Sequence, residues 1–216
     1  MTNARPADTP LPAGYYLVPN TGTSTAALTQ EFQALIGSLL YLTLGTRPDI
    51  AFAVAKLAQF TSNPSEDHLK KARYICRYLV GTKDYALVYD GASGGGLEAF
   101  SDSDWAGDPS TRRSQSGFYF RLAGAAVSWS SRAQKSAARS VTEAEYISLS
   151  DCSAQAFWFH QLLEGLGYTM KAIPISGDNQ GSLFIGNNPV TNQTVKHIDI
   201  RSVSYTHLTL PTKRIV

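Results

Sequence analysis

The chain has 216 residues, 43% of them apolar and 17% charged, with nineteen Lys and Arg against seventeen Asp and Glu for a formal charge of +2. That composition supports a packed core and excludes a disordered chain. The small positive excess excludes a dominant nucleic-acid footprint and leaves only local basic clusters to make such contacts: Arg112 with Arg113, Arg132 with Lys135, and Lys70 and Lys71 with Arg73.

Residues 1–28, rich in Pro, Thr, Asn and Gly, read as an extended linker. Helical spacing begins beyond them, with Phe32, Leu35, Leu39 and Leu42 on one face. Thr46-Arg47-Pro48-Asp49 breaks that helix and starts a second, whose apolar face holds Ile50, Val54, Leu57 and Ala58. Asn63-Pro64-Ser65-Glu66 supplies a capping side chain, a first-turn proline and a following acid for a third helix, with Leu69, Ala72, Ile75 and Leu79 buried and Gly81 as its stop. The segment 29–82 is therefore expected to be all-helical, with a packing or positioning role.

After Gly81 the pattern changes to strands. Residues 85–89 have strand composition, and the glycines from 91 to 96 form a turn. Leu97, Ala99 and Ser101 then alternate with Glu98, Phe100 and Asp102. Two short strands, 117–122 and 126–131, are joined by a hairpin at Ala123-Gly124-Ala125. A long helix over 142–163 starts from a capping-box pattern at Ser140 and Glu143, and its inward face carries Tyr146, Leu149, Ser153 and Phe157, with Trp158 also assigned to the core. A strand at Ile173, Ile175 and Ser176 leads to Gly177-Asp178, and a last helix covers 179–185. Three antiparallel strands, a helix, a strand and a helix make a mixed α/β layer arrangement.

Cys76 and Cys152 form no CxxC pair and the four histidines lack ligand spacing, so neither a disulfide framework nor a zinc site is expected. No signal-peptide pattern opens the chain, and the uncharged run 32–46 is too short and polar to span a bilayer, so an intracellular chain without a membrane partner is expected.

Carboxylates are the remaining candidates for chemistry. Asp102 and Asp104 end the first long strand on one face, with Asp108 close behind. Glu143 has a capping role, whereas Glu145 has none of that kind. Asp178 stands between a strand end and a helix start, where capping and metal binding both suit it. Asp199 lies among Lys196, His197 and Arg201, where a surface ion pair is the simple alternative. Converging carboxylates repel one another and call for a divalent cation, and oxygen ligands favour Mg²⁺ or Mn²⁺ over zinc. Two such ions could activate water and stabilise the leaving oxygen in phosphodiester cleavage.

Six segments in this order resemble the ribonuclease H region of copia-type long-terminal-repeat retrotransposon Pol polyproteins. They are Ser101-Asp102-Ser103-Asp104-Trp105-Ala106-Gly107-Asp108, Arg113-Ser114-Gln115-Ser116-Gly117, Ser128-Trp129-Ser130-Ser131, Thr142-Glu143-Ala144-Glu145-Tyr146, Asp178-Asn179-Gln180 and Lys196-His197-Ile198-Asp199-Ile200-Arg201. Thr46-Arg47-Pro48-Asp49-Ile50 and Arg77-Tyr78-Leu79-Val80-Gly81-Thr82 resemble the segment that joins polymerase to nuclease in the same proteins. The resemblance spans 29–201. It implies a ribonuclease H-like mixed sheet with flanking helices over 83–201, the end of a reverse transcriptase over 29–82, and endonucleolytic cleavage of the RNA strand in RNA–DNA hybrids. It further implies Asp102, Glu145, Asp178 and Asp199 as ligands of two Mg²⁺ or Mn²⁺ ions, with His197 assisting proton transfer. The upstream polymerase domain is the expected partner, and a cytoplasmic replication particle or the nucleus the expected location. The polymerase's paired-aspartate motif is absent, and 202–216 read as an atypical, non-native tail. The alternative expectation is an inactive remnant, or a structural or nucleic-acid-binding appendage of a reverse transcriptase.

Overall fold

The computed structural model describes residues 5–187 apart from Ala13, Gly94, Pro109 and Lys171. Two compact units divide the chain between Leu87 and Val88, with 108–110 and 131–133 grouped with the first. No helix among the described residues is long and apolar enough to cross a membrane.

The first unit is helical. Thr25 caps α1 (Ala26–Gly45) by accepting from the Leu28 N–H. A 3₁₀ turn, Pro48–Ile50, opens with the proline and feeds α2 (Ala51–Ala58), and α3 covers Glu66–Gly81. Their core contains Phe32, Ile36, Leu39, Ile50, Val54, Leu57, Leu69, Ala72, Ile75 and Tyr78. The fully buried stripe of α1 is Phe32, Ile36, Leu39 and Thr43; the expected Leu35 packs partly buried against the same core, and the expected Leu42 is exposed. Both stripes fit a 3.6-residue period, and the packing of α2 and α3 selects between them.

Capping of α3 also differs from expectation. Ser65, not Asn63, is the cap, and His68 completes a capping box by accepting the Ser65 N–H on Nδ1. Asn63 instead accepts the Ser24 N–H and donates to the Gly22 and Asn20 carbonyls. The described part of the segment expected to be an extended linker is instead docked: Ala7 is buried, Leu11 and Leu17 pack on the helical core, and the Ala7 N–H donates to the Arg77 carbonyl. Gly81 makes room for this strap, since a β-carbon there would lie 2.9 Å from Pro6 Cβ. Arg47, itself buried, forks onto Asp49 and donates to the Thr82 carbonyl and hydroxyl, tying the end of α1 to the end of α3.

The second unit holds a four-stranded sheet in the order β3-β2-β1-β4, where β1 is Glu98–Asp104, β2 Gln115–Leu122, β3 Ala125–Ala133 and β4 Ile175–Ser176. β1 is antiparallel to β2 and parallel to β4, which makes the sheet mixed. The long helix α4 (Val141–Gly165) connects β3 to β4, and α5 (Gln180–Asn187) follows. This is the mixed α/β class preceded by a helical segment that the resemblance implies. Leu97, Ala99 and Ser101 are buried, as their alternation requires, and the first two share a core with Phe120, Leu149, Cys152, Ala156, Ile173 and Ile175. On the other face Phe100 stacks on its cross-strand partner Tyr119 at 4.7 Å.

Two expectations fail here. Residues 85–89 are extended but form no strand; the Asp90 N–H reaches the Ala123 carbonyl, and Tyr85 and Val88 stay exposed. Phe157 and Trp158 are also exposed, 38% and 51%, rather than core. The buried stripe of α4 is Glu145, Ser148, Leu149, Cys152, Ser153 and Ala156, and steps of three and four carry it to Phe159.

Two predictions follow from local chemistry. His68 is almost fully buried and stacked on Phe60 at 4.1 Å, and burial lowers its pKa. The unfolded chain therefore takes up a proton first, and stability present above about pH 6.5 is lost as pH falls through the folded value. Urea denaturation followed by far-UV circular dichroism should show that loss, and a His68→Asn variant should flatten it while lowering stability at pH 7.5. In the β2–β3 turn Ala123 and Gly124 both have positive φ, 52° and 87°, the requirement of a two-residue type I′ hairpin. Ala123→Asn should stabilise the second unit by about 1 kcal/mol, read as a higher urea midpoint in the fluorescence of Trp105, Trp129 and Trp158.

Candidate metal centre

Three elements deliver one carboxylate each to the same end of the sheet. Asp102 comes from near the end of β1, Asp178 from just beyond β4, and Glu145 from the first turns of α4. Their ligand oxygens lie within 4.8 Å of one another. The parallel pairing of Ala99 with Ile175 and Phe100 with Ser176 sets β1 and β4 side by side, so that Asp102 and Asp178, each two residues past the Phe100–Ser176 pair, emerge as neighbours.

The three acids differ in environment. Asp102 and Asp178 are exposed, whereas Glu145 is only 6% exposed and its Oε1 accepts the Ser103 backbone N–H at 3.2 Å. Burial, and then the negative charges of Asp102 and Asp178, push the Glu145 pKa above its ordinary value. An all-carboxylate set in which one member is held up by burial and by like charge suits a hard divalent cation, which would relieve both penalties.

The remaining acids have structural work. Asp104 folds back on the turn after β1, where a β-carbon at Gly107 would run into its carboxylate. Asp108 accepts from the Ser110 N–H and hydroxyl. Glu143 accepts the Arg139 N–H at 2.8 Å while Ser140 caps α4. Asn179 receives the Ser182 N–H at the start of α5, so capping there belongs to Asn179 and the Asp178 carboxylate joins the cluster. Asp199 and His197, and the tail 202–216, lie outside the described residues.

The spacing of acids alone gives no sign of the polar residues that hold this end together. Gln134 is buried; its Nε2 donates to Ser116 Oγ and to the Ala144 carbonyl, both at 2.9 Å, joining β2 to the residue before Glu145. Trp105 donates its indole N–H to the Ala138 carbonyl, which fastens the end of β1 to the loop leading into α4. Gly181 lets α5 approach α4, since a β-carbon there would lie 3.1 Å from Thr142 Cγ2.

No protein-family profile matches the chain. It is similar to the retrovirus-related Pol polyprotein from transposon TNT 1-94 of Nicotiana tabacum, 36% identical over 207 residues, or 93% of this chain and 15% of that protein. It is likewise similar to the polyprotein from transposon RE1 of Arabidopsis thaliana, 39% identical over 201 residues, 93% of this chain and 14% of that one. The chain therefore spans only 14–15% of the length of these relatives. Among solved structures, LC11-RNase H1 isolated from compost aligns with 13% identity and a TM-score of 0.42, over 55% of this chain and 83% of that one.

The raised Glu145 pKa sets the sign of a measurable effect. As pH rises past the ordinary carboxylate range the unfolded chain ionises first, so the folded state loses stability until Glu145 itself ionises, and the deficit persists at neutral pH. In chelator, Glu145→Gln should be more stable than the wild type at pH 7, and the advantage should vanish near pH 4. Adding Mn²⁺ should reverse the order, raising wild-type stability by about 2.7 kcal/mol at a hundred times its Kd while leaving Asp102→Asn and Asp178→Asn unmoved. Thermal melts across pH, with and without Mn²⁺, check both.

Proposed function

Because the chain belongs to the retrovirus-related Pol polyproteins of copia-type transposons, we propose that its second unit hydrolyses the RNA strand of RNA–DNA hybrids. The observation that carries this reading is the meeting of Asp102, Glu145 and Asp178 within 4.8 Å at the carboxyl end of β1 and β4. In this reading these three, with Asp199, hold two Mg²⁺ or Mn²⁺ ions. When bound, the ions supply activation of water and stabilisation of the leaving oxygen in phosphodiester hydrolysis.

The protein's own groups have separable parts in the reaction. Glu145, buried and held through Oε1 by the Ser103 N–H, keeps a fixed carboxylate at the inner side of the cluster. Asp102 and Asp178, being exposed, leave the outer side open to a nucleic-acid backbone. His197 moves a proton near the scissile bond. Residues 29–82 are the end of the reverse transcriptase and 83–201 the nuclease domain, with the polymerase portion of the polyprotein as partner.

A labelled RNA–DNA hybrid tests the proposal directly. The purified chain should cut only the RNA strand, with Mg²⁺ or Mn²⁺ and not in chelator. Asp102→Asn, Asp178→Asn and Glu145→Gln should each lose at least about 100-fold, while Glu143→Gln keeps its rate and loses about 1 kcal/mol of stability. A folded wild-type chain that leaves the hybrid whole, or cutting that survives Asp102→Asn and Asp178→Asn, overturns the assignment.

A further inference from the structure

We infer that Ser148 is a positioning residue that sets the separation of the Glu145 and Asp102 carboxylates and so governs cation affinity at the cluster. The inference rests on the reading of these acids as a metal centre. Ser148 lies three residues after Glu145 on the same buried face of α4 and is itself fully buried. Its hydroxyl stands 2.7 Å from the Asp102 carbonyl and 3.2 Å from the Gly117 carbonyl, and it receives the Ser101 hydroxyl at 3.0 Å. Asp102 and Gly117 are register partners across β1 and β2. One side chain from the helix that carries Glu145 therefore meets both strands at the level of Asp102.

The chemistry of a hydroxyl explains the arrangement. Ser148 has one proton, and the nearer Asp102 carbonyl is its best acceptor; a lone pair accepts from Ser101. Ser148 and Ser101 are buried and the bond to Asp102 is part-buried, so losing the hydroxyl removes the link from α4 to the Asp102 backbone and takes an acceptor from the Ser101 hydroxyl. The bond fixes the backbone of Asp102, one residue before the N–H that holds Glu145 Oε1, so the two carboxylates are spaced through a short closed circuit: Asp102 backbone, Ser103 N–H, Glu145, one helical turn, Ser148. Gln134 braces the same turn from the other side by holding the Ala144 carbonyl. Groups that orient ligands in this way affect cation affinity beyond their share of stability.

The test uses the full chain, Mn²⁺ as the probe, and paramagnetic resonance of free Mn²⁺ to read affinity, with urea denaturation in chelator alongside. Ser148→Ala removes the hydroxyl, and Ser148→Cys keeps the volume with a weak donor, so the second decides if the first does not fold. Ser153→Ala is the control, because Ser153 is also buried on α4 but bonds only to the Leu149 carbonyl of its own helix. Both Ser148 variants should bind Mn²⁺ about tenfold more weakly, and Ser153→Ala should match the wild type. Wild-type affinity in a folded Ser148→Cys chain, or an equal loss in Ser153→Ala, overturns the positioning role alone. A wild-type chain that takes up no Mn²⁺ overturns the metal reading, and this role with it.

Discussion

Mutual repulsion among three carboxylates is the constraint around which the second unit is organised. Asp102, Glu145 and Asp178 approach within 4.8 Å, and Glu145 does so while nearly excluded from water. Burial and like charge both oppose ionisation of Glu145. The rest of the unit must hold them there: Asp102 stands within β1, Glu145 within α4, and Asp178 in the short connection from β4 to α5. A parallel pair of strands brings two acids to one end of the sheet, and the helix that packs across it brings the third.

That helix can lie close because its buried face is built mostly of small residues. Ala144, Ser148, Cys152, Ser153 and Ala156 face the sheet, where longer side chains would lift α4 and carry Glu145 away from Asp102. Close approach in turn buries backbone carbonyls that need partners, and the hydroxyl of Ser148 and the amide of Gln134 meet that need at the level of the acids. Packing and polar satisfaction thus serve the same placement. The turns around the cluster follow the same economy: Asp104, Asp108, Glu143 and Asn179 close local turns and caps, which leaves the clustered acids without that task.

The helical unit solves a different problem. Its first two helices carry one charged residue each, and the unit depends on a proline-rich strap held by Asn63, and on a buried imidazole that must stay neutral to accept the Ser65 N–H. Arg47 is the exception, a buried cation made tolerable by Asp49 and by the carbonyl and hydroxyl of Thr82.

Much of this was legible from the order of residues alone. Local rules were enough for the α-helices, the cap at Ser140, the alternation of Leu97, Ala99 and Ser101, and the mixed α/β class, because each depends on neighbours within a turn or a strand. The motif order points to Asp102, Glu145, Asp178 and Asp199 among seventeen acids, and the first three meet in the structure. Choices between equally periodic alternatives were beyond it. Ile36 over Leu35, Phe159 over Phe157, Ser65 over Asn63 and an unpaired 85–89 each turn on what lies across from the residue, and sequence spacing does not contain that. The same holds for the bridges of Ser148 and Gln134, whose partners lie 46 and 10 residues away. Sequence determined which groups carry charge and which faces are apolar; tertiary structure decided which carboxylates share a cluster and which merely close a turn, because only packing of α4 and β4 against β1 fixes their separation.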